Sequence, residues 1–144
     1  MKPLIRRVEA AQKAFDKFIF EPFDWGSADC AHLVSLVLIE LGHPDPLKSF
    51  RRYTTEAGAK RALLKAGFTD IDDVLDQKVG LIRIAPASAL PADIVAIPGG
   101  DAGEWSALGV VMDADRVIAF ADMGQGARGE LGSLTAATTA WRSI

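Results

Sequence analysis

The chain has 144 residues, 49% apolar and 24% charged, with a net charge of −3. That length suits one domain, residues 1–144, with a sizeable core, and the composition is far from that of a disordered chain. A mildly acidic chain also lacks the basic footprint that nucleic acid or anionic lipid requires, so the densest basic pairs, Arg6-Arg7 and Arg51-Arg52, read as solvated surface.

The single cysteine, Cys30, excludes a disulfide within the chain. Only His32 and His43 could join it around a metal, so no metal site and no cofactor is expected. The opening "MKPLIRRVEAAQKAF" alternates charged and apolar residues without the apolar run of a signal peptide, and the expectation is a protein made and folded inside a cell. The longest apolar run, "CAHLVSLVLIELG", is too short to span a bilayer.

Leu4, Val8, Ala11, Phe15 and Phe18 recur at three- and four-residue spacing, which predicts an amphipathic helix over 3–19 with Pro3 near its start. A loop, "FEPFDWGSAD", follows. Ser27 or Asp29 then caps a second helix running to about Leu41 and stopped by Gly42. That helix is apolar almost all round, so it is expected at the centre of the core. "HPDP" breaks the chain, Thr54 or Thr55 caps a third helix through "EAGAKRALLKAG", and "DIDDVLDQK" reads as a short fourth. After Gly80, "GLIRIA", "ADIVAIP", "SALGVVMD" and "RVIAFA" are short and β-branched, bounded by Pro, Gly or Asp, and read as strands. "DAD" suits a hairpin between the last two. "GGDAGEW" and "DMGQGARGE" read as glycine-rich loops, without the strand and helix context of a phosphate cradle. Helices first and an antiparallel sheet after make an α+β domain.

Cys30 falls in the first turn of the second helix, where unpaired N–H groups and the helix dipole favour thiolate. A nucleophile belongs there, although a free cysteine also packs commonly as a small buried hydrophobe. Phe20, Phe23 and Trp25 read as core or as the wall of a groove. Arg51-Arg52-Tyr53 reads as a solvated helix end or a contact for an acidic partner. Trp105 reads as packing, a protein contact or a glycan stack.

"DWGSADCAHLVSLVLIELG" resembles the catalytic stretch of the NlpC-type papain-like cysteine peptidases. The matching residues are Trp25, Gly26, Asp29, Cys30, Leu33, Val34 and Gly42. "LPADIVAIP" is similar to the family's Pro-Gly-Asp-Leu-Val strand opening, with Ala92 where glycine is usual and Asp93 retained. "SALGVVMD" resembles its His-Val-Gly-Ile strand. The resemblance covers roughly residues 20–120 and implies a papain-like fold, with N-terminal helices packed on a C-terminal antiparallel sheet and Cys30 as the catalytic position. The Trp…Asp-Cys helix and the ending Ala140-Trp141-Arg142 are most similar to a branch found among phage and prophage tail genes. That likeness implies a tail-tip or tail-assembly role in the virion, neighbouring tail proteins as partners, and peptidoglycan peptides as the candidate substrate.

One departure counts against hydrolysis. A cysteine peptidase needs a base to take the thiol proton and return it to the leaving amine, and Ala107 stands where the family has histidine. His32 lies two residues from Cys30, about 200° round the same helix. His43 lies about 20 Å off by helical rise. Asp93 and Glu104 are acidic stand-ins, but a carboxylate is a poor general acid unless burial raises its pKa. The expectation is a catalytically silent papain-like domain in a phage tail. Its rivals are an active peptidoglycan amidase or endopeptidase, and a soluble bacterial domain that binds a peptide or partner.

Overall fold

The structure, a computed structural model, describes residues 3–98 and 107–144. Helix α1 (Pro3–Phe18) leads to α2 (Cys30–Glu40), α3 (Glu56–Lys65) and a short α4 (Ile71–Asp73), which runs on as a π-helical segment, Val74–Val79. Strands β1 (Ile82–Ile84), β2 (Ile94–Ile97), β3 (Ala107–Val111), β4 (Arg116–Asp122), β5 (Ala127–Ser133) and β6 (Thr139–Arg142) form one antiparallel sheet in the order β1-β6-β2-β3-β4-β5. The α+β class and the helices-then-sheet order agree with the sequence. Among the described residues no helix is long and apolar enough to cross a membrane.

The capping alternatives resolve. Asp29, not Ser27, caps α2 by accepting the His32 N–H, and Thr55, not Thr54, caps α3 by accepting the Gly58 N–H. Strand β3 runs through a short turn into β4, as "DAD" suggested. α2 packs on α1 and β3, with Leu33, Val37 and Leu38 fully buried. The helix-facing side of the sheet contributes Ile94, Leu108, Val110, Ile118 and Trp141 to the same core. Val95, Val111, Val117, Leu134 and Ala140 make a second, smaller core on the opposite face.

Three expectations are corrected. First, α1 buries Ala11 and Phe18 of the expected stripe but not Leu4 and Val8, which are 58% and 49% exposed, while Arg7 is 4% exposed beside Ala10, Ala11 and Ala14. Small alanines let α1 lie close on its neighbours, and Arg7 turns inward because a buried carboxylate, Asp93, meets it at 2.7 Å. Arg7 is therefore core, while Arg51 and Arg52 are exposed as expected. Second, "ARGE" at 127–130, read as part of a glycine-rich loop, begins β5. Third, the Ala140-Trp141-Arg142 ending, to which the sequence assigned no element, is β6, inserted between β1 and β2, with the Trp141 indole N–H donating to Asp76 at 2.8 Å.

Ala92 holds φ +71, a left-handed conformation that costs a residue with a Cβ about 1–2 kcal/mol. Glycine's use at this position in the resembled family has a plain steric reason, and this chain tolerates alanine there with its side chain fully buried.

Candidate functional site

Cys30 is placed by the turn that precedes it. Asp24 and Ala28 bond each other's backbone in both directions at 2.9 Å, closing a tight loop around Trp25, Gly26 and Ser27. Gly26 adopts φ +90, and a Cβ there would lie 2.0 Å from the Tyr53 carbonyl oxygen. The Trp-Gly pair is thus a steric requirement: only glycine lets the 53–54 backbone pass this close. The loop delivers Asp29 to the cap of α2 and Cys30 to its first residue, half-buried and with a free thiol.

Asp29 is the electrostatic centre of the site. Its carboxylate is 1% exposed and accepts from the Gly26 N–H (2.9 Å), the His32 N–H (2.9 Å), the His32 Nδ1 (2.6 Å) and the Tyr53 hydroxyl (2.7 Å). Burial alone would raise its pKa, but the bonds from His32, Tyr53 and Gly26 outweigh that and hold it below the ordinary aspartate value. Tyr53 responds in the opposite sense: burial and the adjacent Asp29 charge push its phenol well above the ordinary tyrosine range.

The same charge acts on Cys30. Burial pushes the thiol up, the Leu108 backbone N–H offsets part of this, and Asp29 pushes it further, to about 11. At neutral pH the sulfur carries its proton. The N–H groups of Cys30 and Ala31 at the helix start still favour thiolate, but burial, reinforced by the Asp29 charge, outweighs them.

Neither histidine ring is bonded to the sulfur. His32 turns back onto Asp29, and His43 Nε2 bonds the Ser143 carbonyl at 2.5 Å. Asp93 is fully buried, bound to Arg7, Arg142, Ser143 and the Leu90 N–H, and serves the core rather than the cleft. Glu104 and Trp105 lie outside the described residues. Register adds a detail: Ala107 pairs with Ile97 on the face of Val95 and Val111, whereas Leu108 turns toward α2 and its N–H reaches the sulfur. Position 107 carries a methyl group and position 108 an isobutyl group, so neither side chain can accept a proton. Among the described residues, no group of three or more His, Cys, Asp or Glu side chains is arranged to hold a metal ion.

A cleft of about 740 Å³ opens over Cys30, walled by Phe23, Trp25, Val34, Phe50 and Tyr53. Phe23 stands edge-on to both Trp25 (4.9 Å) and Phe120 (5.6 Å), and Trp25 stands edge-on to Tyr53 (6.5 Å). Phe23 and Trp25 therefore form a wall, while Phe20 is 58% exposed beneath the Arg128 guanidinium. Tyr53, read only as part of a surface cluster, is a site residue that the sequence did not single out. No local signal ties it to Asp29, because the contact spans 24 residues.

Tyr53→Phe removes one bond to a buried carboxylate and is expected to cost about 1.5–3 kcal/mol at neutral pH. Asp29's lowered pKa contributes stability above the ordinary aspartate range, and that contribution is lost as pH falls through its native value. The gap between variant and parent in urea unfolding should therefore narrow in acid. A gap of constant size would disconnect Tyr53 from the charge on Asp29.

Residues 6–143 match a family described as a domain of unknown function, DUF6950. No curated protein matches the chain. Among solved structures, the NlpC/p60 domain of the peptidoglycan hydrolase SagA is similar, with a TM-score of 0.56 and 16% identity over 94% of this chain and 97% of that one. At that identity the likeness is one of fold, and it agrees with the NlpC-type architecture that the Asp-Cys helix suggested. With the family match running over residues 6–143, the chain belongs to DUF6950, on a fold of the NlpC/p60 type.

Proposed function

We propose that this protein is a phage- or prophage-encoded tail-tip or tail-assembly component whose papain-like cleft holds a partner and does not hydrolyse it. One observation carries the silent-cleft half of this reading. The Cys30 sulfur is protonated at neutral pH beside a buried aspartate, and both histidine rings are engaged elsewhere. Without a base, triad chemistry loses several orders of magnitude, about 10⁴–10⁶ in rate. The tail placement rests on the resemblance of the Trp25…Asp29-Cys30 helix and the Ala140-Trp141-Arg142 ending to tail-associated relatives. It makes neighbouring tail proteins the partners, with assembly in the bacterial host and residence in the virion.

A second reading, an active hydrolase of peptidoglycan stem peptides, is favoured by the Leu108 N–H on the sulfur and by the peptidoglycan hydrolase that shares the fold. It requires a base from an unexpected residue or from another chain.

Alkylation and zymography separate the two. Iodoacetamide labelling of Cys30 should stay slow through pH 9 and rise toward a midpoint of about 11. A zymogram on purified peptidoglycan should show no clearing by the parent or by Cys30→Ala. Clearing by the parent that Cys30→Ala abolishes, with labelling already complete near neutrality, would establish the hydrolase instead. Mass spectrometry of induced phage particles should find the chain among tail proteins, and its absence from them removes the tail assignment.

A further inference from the structure

The four charged side chains that line the cleft among the described residues are all carboxylates: Asp29, Glu56, Asp122 and Glu130. Asp29 sits at the floor. Asp122 stands at the rim, accepting the Gly124 and Gly126 N–H groups at 2.9 and 3.1 Å. Glu130 meets Arg128 at 2.6 Å and Glu56 meets Lys60 at 3.3 Å, but neither cation lines the cavity. Between these carboxylates the walls are apolar, and the rings of Trp25 and Tyr53 are only half-buried. A concave, low-dielectric site with charges of one sign focuses its field on the space inside.

We infer that the cleft takes a segment of a neighbouring protein in which lysine or arginine side chains are flanked by apolar ones. This rests on the reading of the cleft as a holding surface and specifies what it holds. A long cationic side chain lays its methylene stem along apolar walls while its head meets carboxylates. An ammonium or guanidinium within about 6 Å of an indole or phenol ring gains further attraction from the ring face. An anionic segment meets the opposite field: the Asp29 charge that disfavours a thiolate on Cys30 also disfavours a carboxylate in the space above it.

The test is fluorescence anisotropy of the full chain with three labelled probes. They are a terminally blocked eight-residue peptide alternating Lys and Leu, its Glu-Leu counterpart, and a peptidoglycan stem tripeptide. The Lys-Leu peptide should bind at least about tenfold more tightly than the Glu-Leu peptide, a difference of about 1.4 kcal/mol. Glu56→Gln with Asp122→Asn should weaken it about tenfold, and Trp25→Ala should weaken it further. Glu9→Gln with Asp16→Asn, on the exposed side of α1, should leave it unchanged, and thermal unfolding verifies that each variant is folded. Equal or tighter binding of the Glu-Leu peptide would overturn the charge preference while leaving a binding cleft in place. So would equal weakening by the α1 pair, because attraction would then be general to an acidic surface. Binding of neither peptide overturns the inference outright. Cleavage of the stem tripeptide overturns instead the non-hydrolytic reading on which it rests.

Discussion

Replacing Arg7 with alanine is expected to lower the free energy of unfolding by about 3–5 kcal/mol, because it leaves a buried carboxylate short of its main counter-charge. The Arg7 guanidinium donates to Asp93 at 2.7 Å and to the Pro91 carbonyl at 3.1 Å, and it also bonds the Ile144 carbonyl. Asp93 is fully buried, and its other partners are the Leu90 N–H, Ser143 and Arg142 at 3.1 Å. Arg142 is partly exposed and meets only the other carboxylate oxygen, so it compensates only in part. The pair ties the start of α1 to the entry of β2 and to the last two residues of the chain. Asp93→Ala should cost a similar amount, and Arg7→Ala with Asp93→Ala should cost much less than the two single effects added, because neither charge is then left behind. Urea unfolding of the three variants measures this. Additive losses, or a single loss under about 1 kcal/mol, would mean that water reaches the carboxylate.

That network also shows where the sequence could and could not be read. The α2 helix, its Asp29 cap and the Asp-Cys pair are local features written within a few residues of one another. So is the α3 cap at Thr55, and all of these were legible, each cap to within two candidate residues. Arg7 was not. Its partner lies 86 residues away, and periodicity alone assigns an arginine at the edge of an apolar stripe to solvent. Leu4 and Val8 misled for the same reason, since their spacing fits a buried face but the small alanines beside them are what pack. At the site, the sequence placed Cys30 in the first turn of α2, and the structure engages both imidazoles with other partners. The sequence did not reveal that Asp29 gathers Tyr53, Gly26 and His32, nor that burial keeps the thiol protonated. Helix position argued for thiolate, and burial, reinforced by the Asp29 charge, outweighed it. The ending Ala140-Trp141-Arg142 gave no strand signal because it lacks the run of β-branched residues that marked the others, and its place between β1 and β2 is set by long-range pairing.

Strand β5 was hidden by its glycines, and one of them carries the second large expectation. Gly129 exchanges two backbone bonds with the stretch after α1: the Phe20 N–H donates to its carbonyl at 2.8 Å, and its own N–H donates to the Glu21 carbonyl at 3.0 Å. A Cβ at 129 would lie 1.7 Å from the Phe18 carbonyl oxygen and 2.6 Å from its carbon, which are backbone atoms at the end of a helix. Neither element can yield by rotating a side chain. Relief requires separating α1's end from β5, which costs both hydrogen bonds at about 0.5–1.5 kcal/mol each and overpacking strain of about 1–3 kcal/mol. Gly129→Ala is therefore expected to destabilise by about 2–6 kcal/mol. Gly132→Ala is the matched comparison on the same strand: the nearest atom to its new Cβ is Val117 Cγ2 at 3.9 Å, so the change should be neutral or slightly stabilising. The displaced segment leads directly into the Asp24–Ala28 loop that places Trp25 and Asp29, so Gly129→Ala should also hasten Cys30 alkylation by loosening the cleft wall. Equal stability of the two alanine variants would show that α1 and β5 are not in the close contact that makes a glycine necessary here.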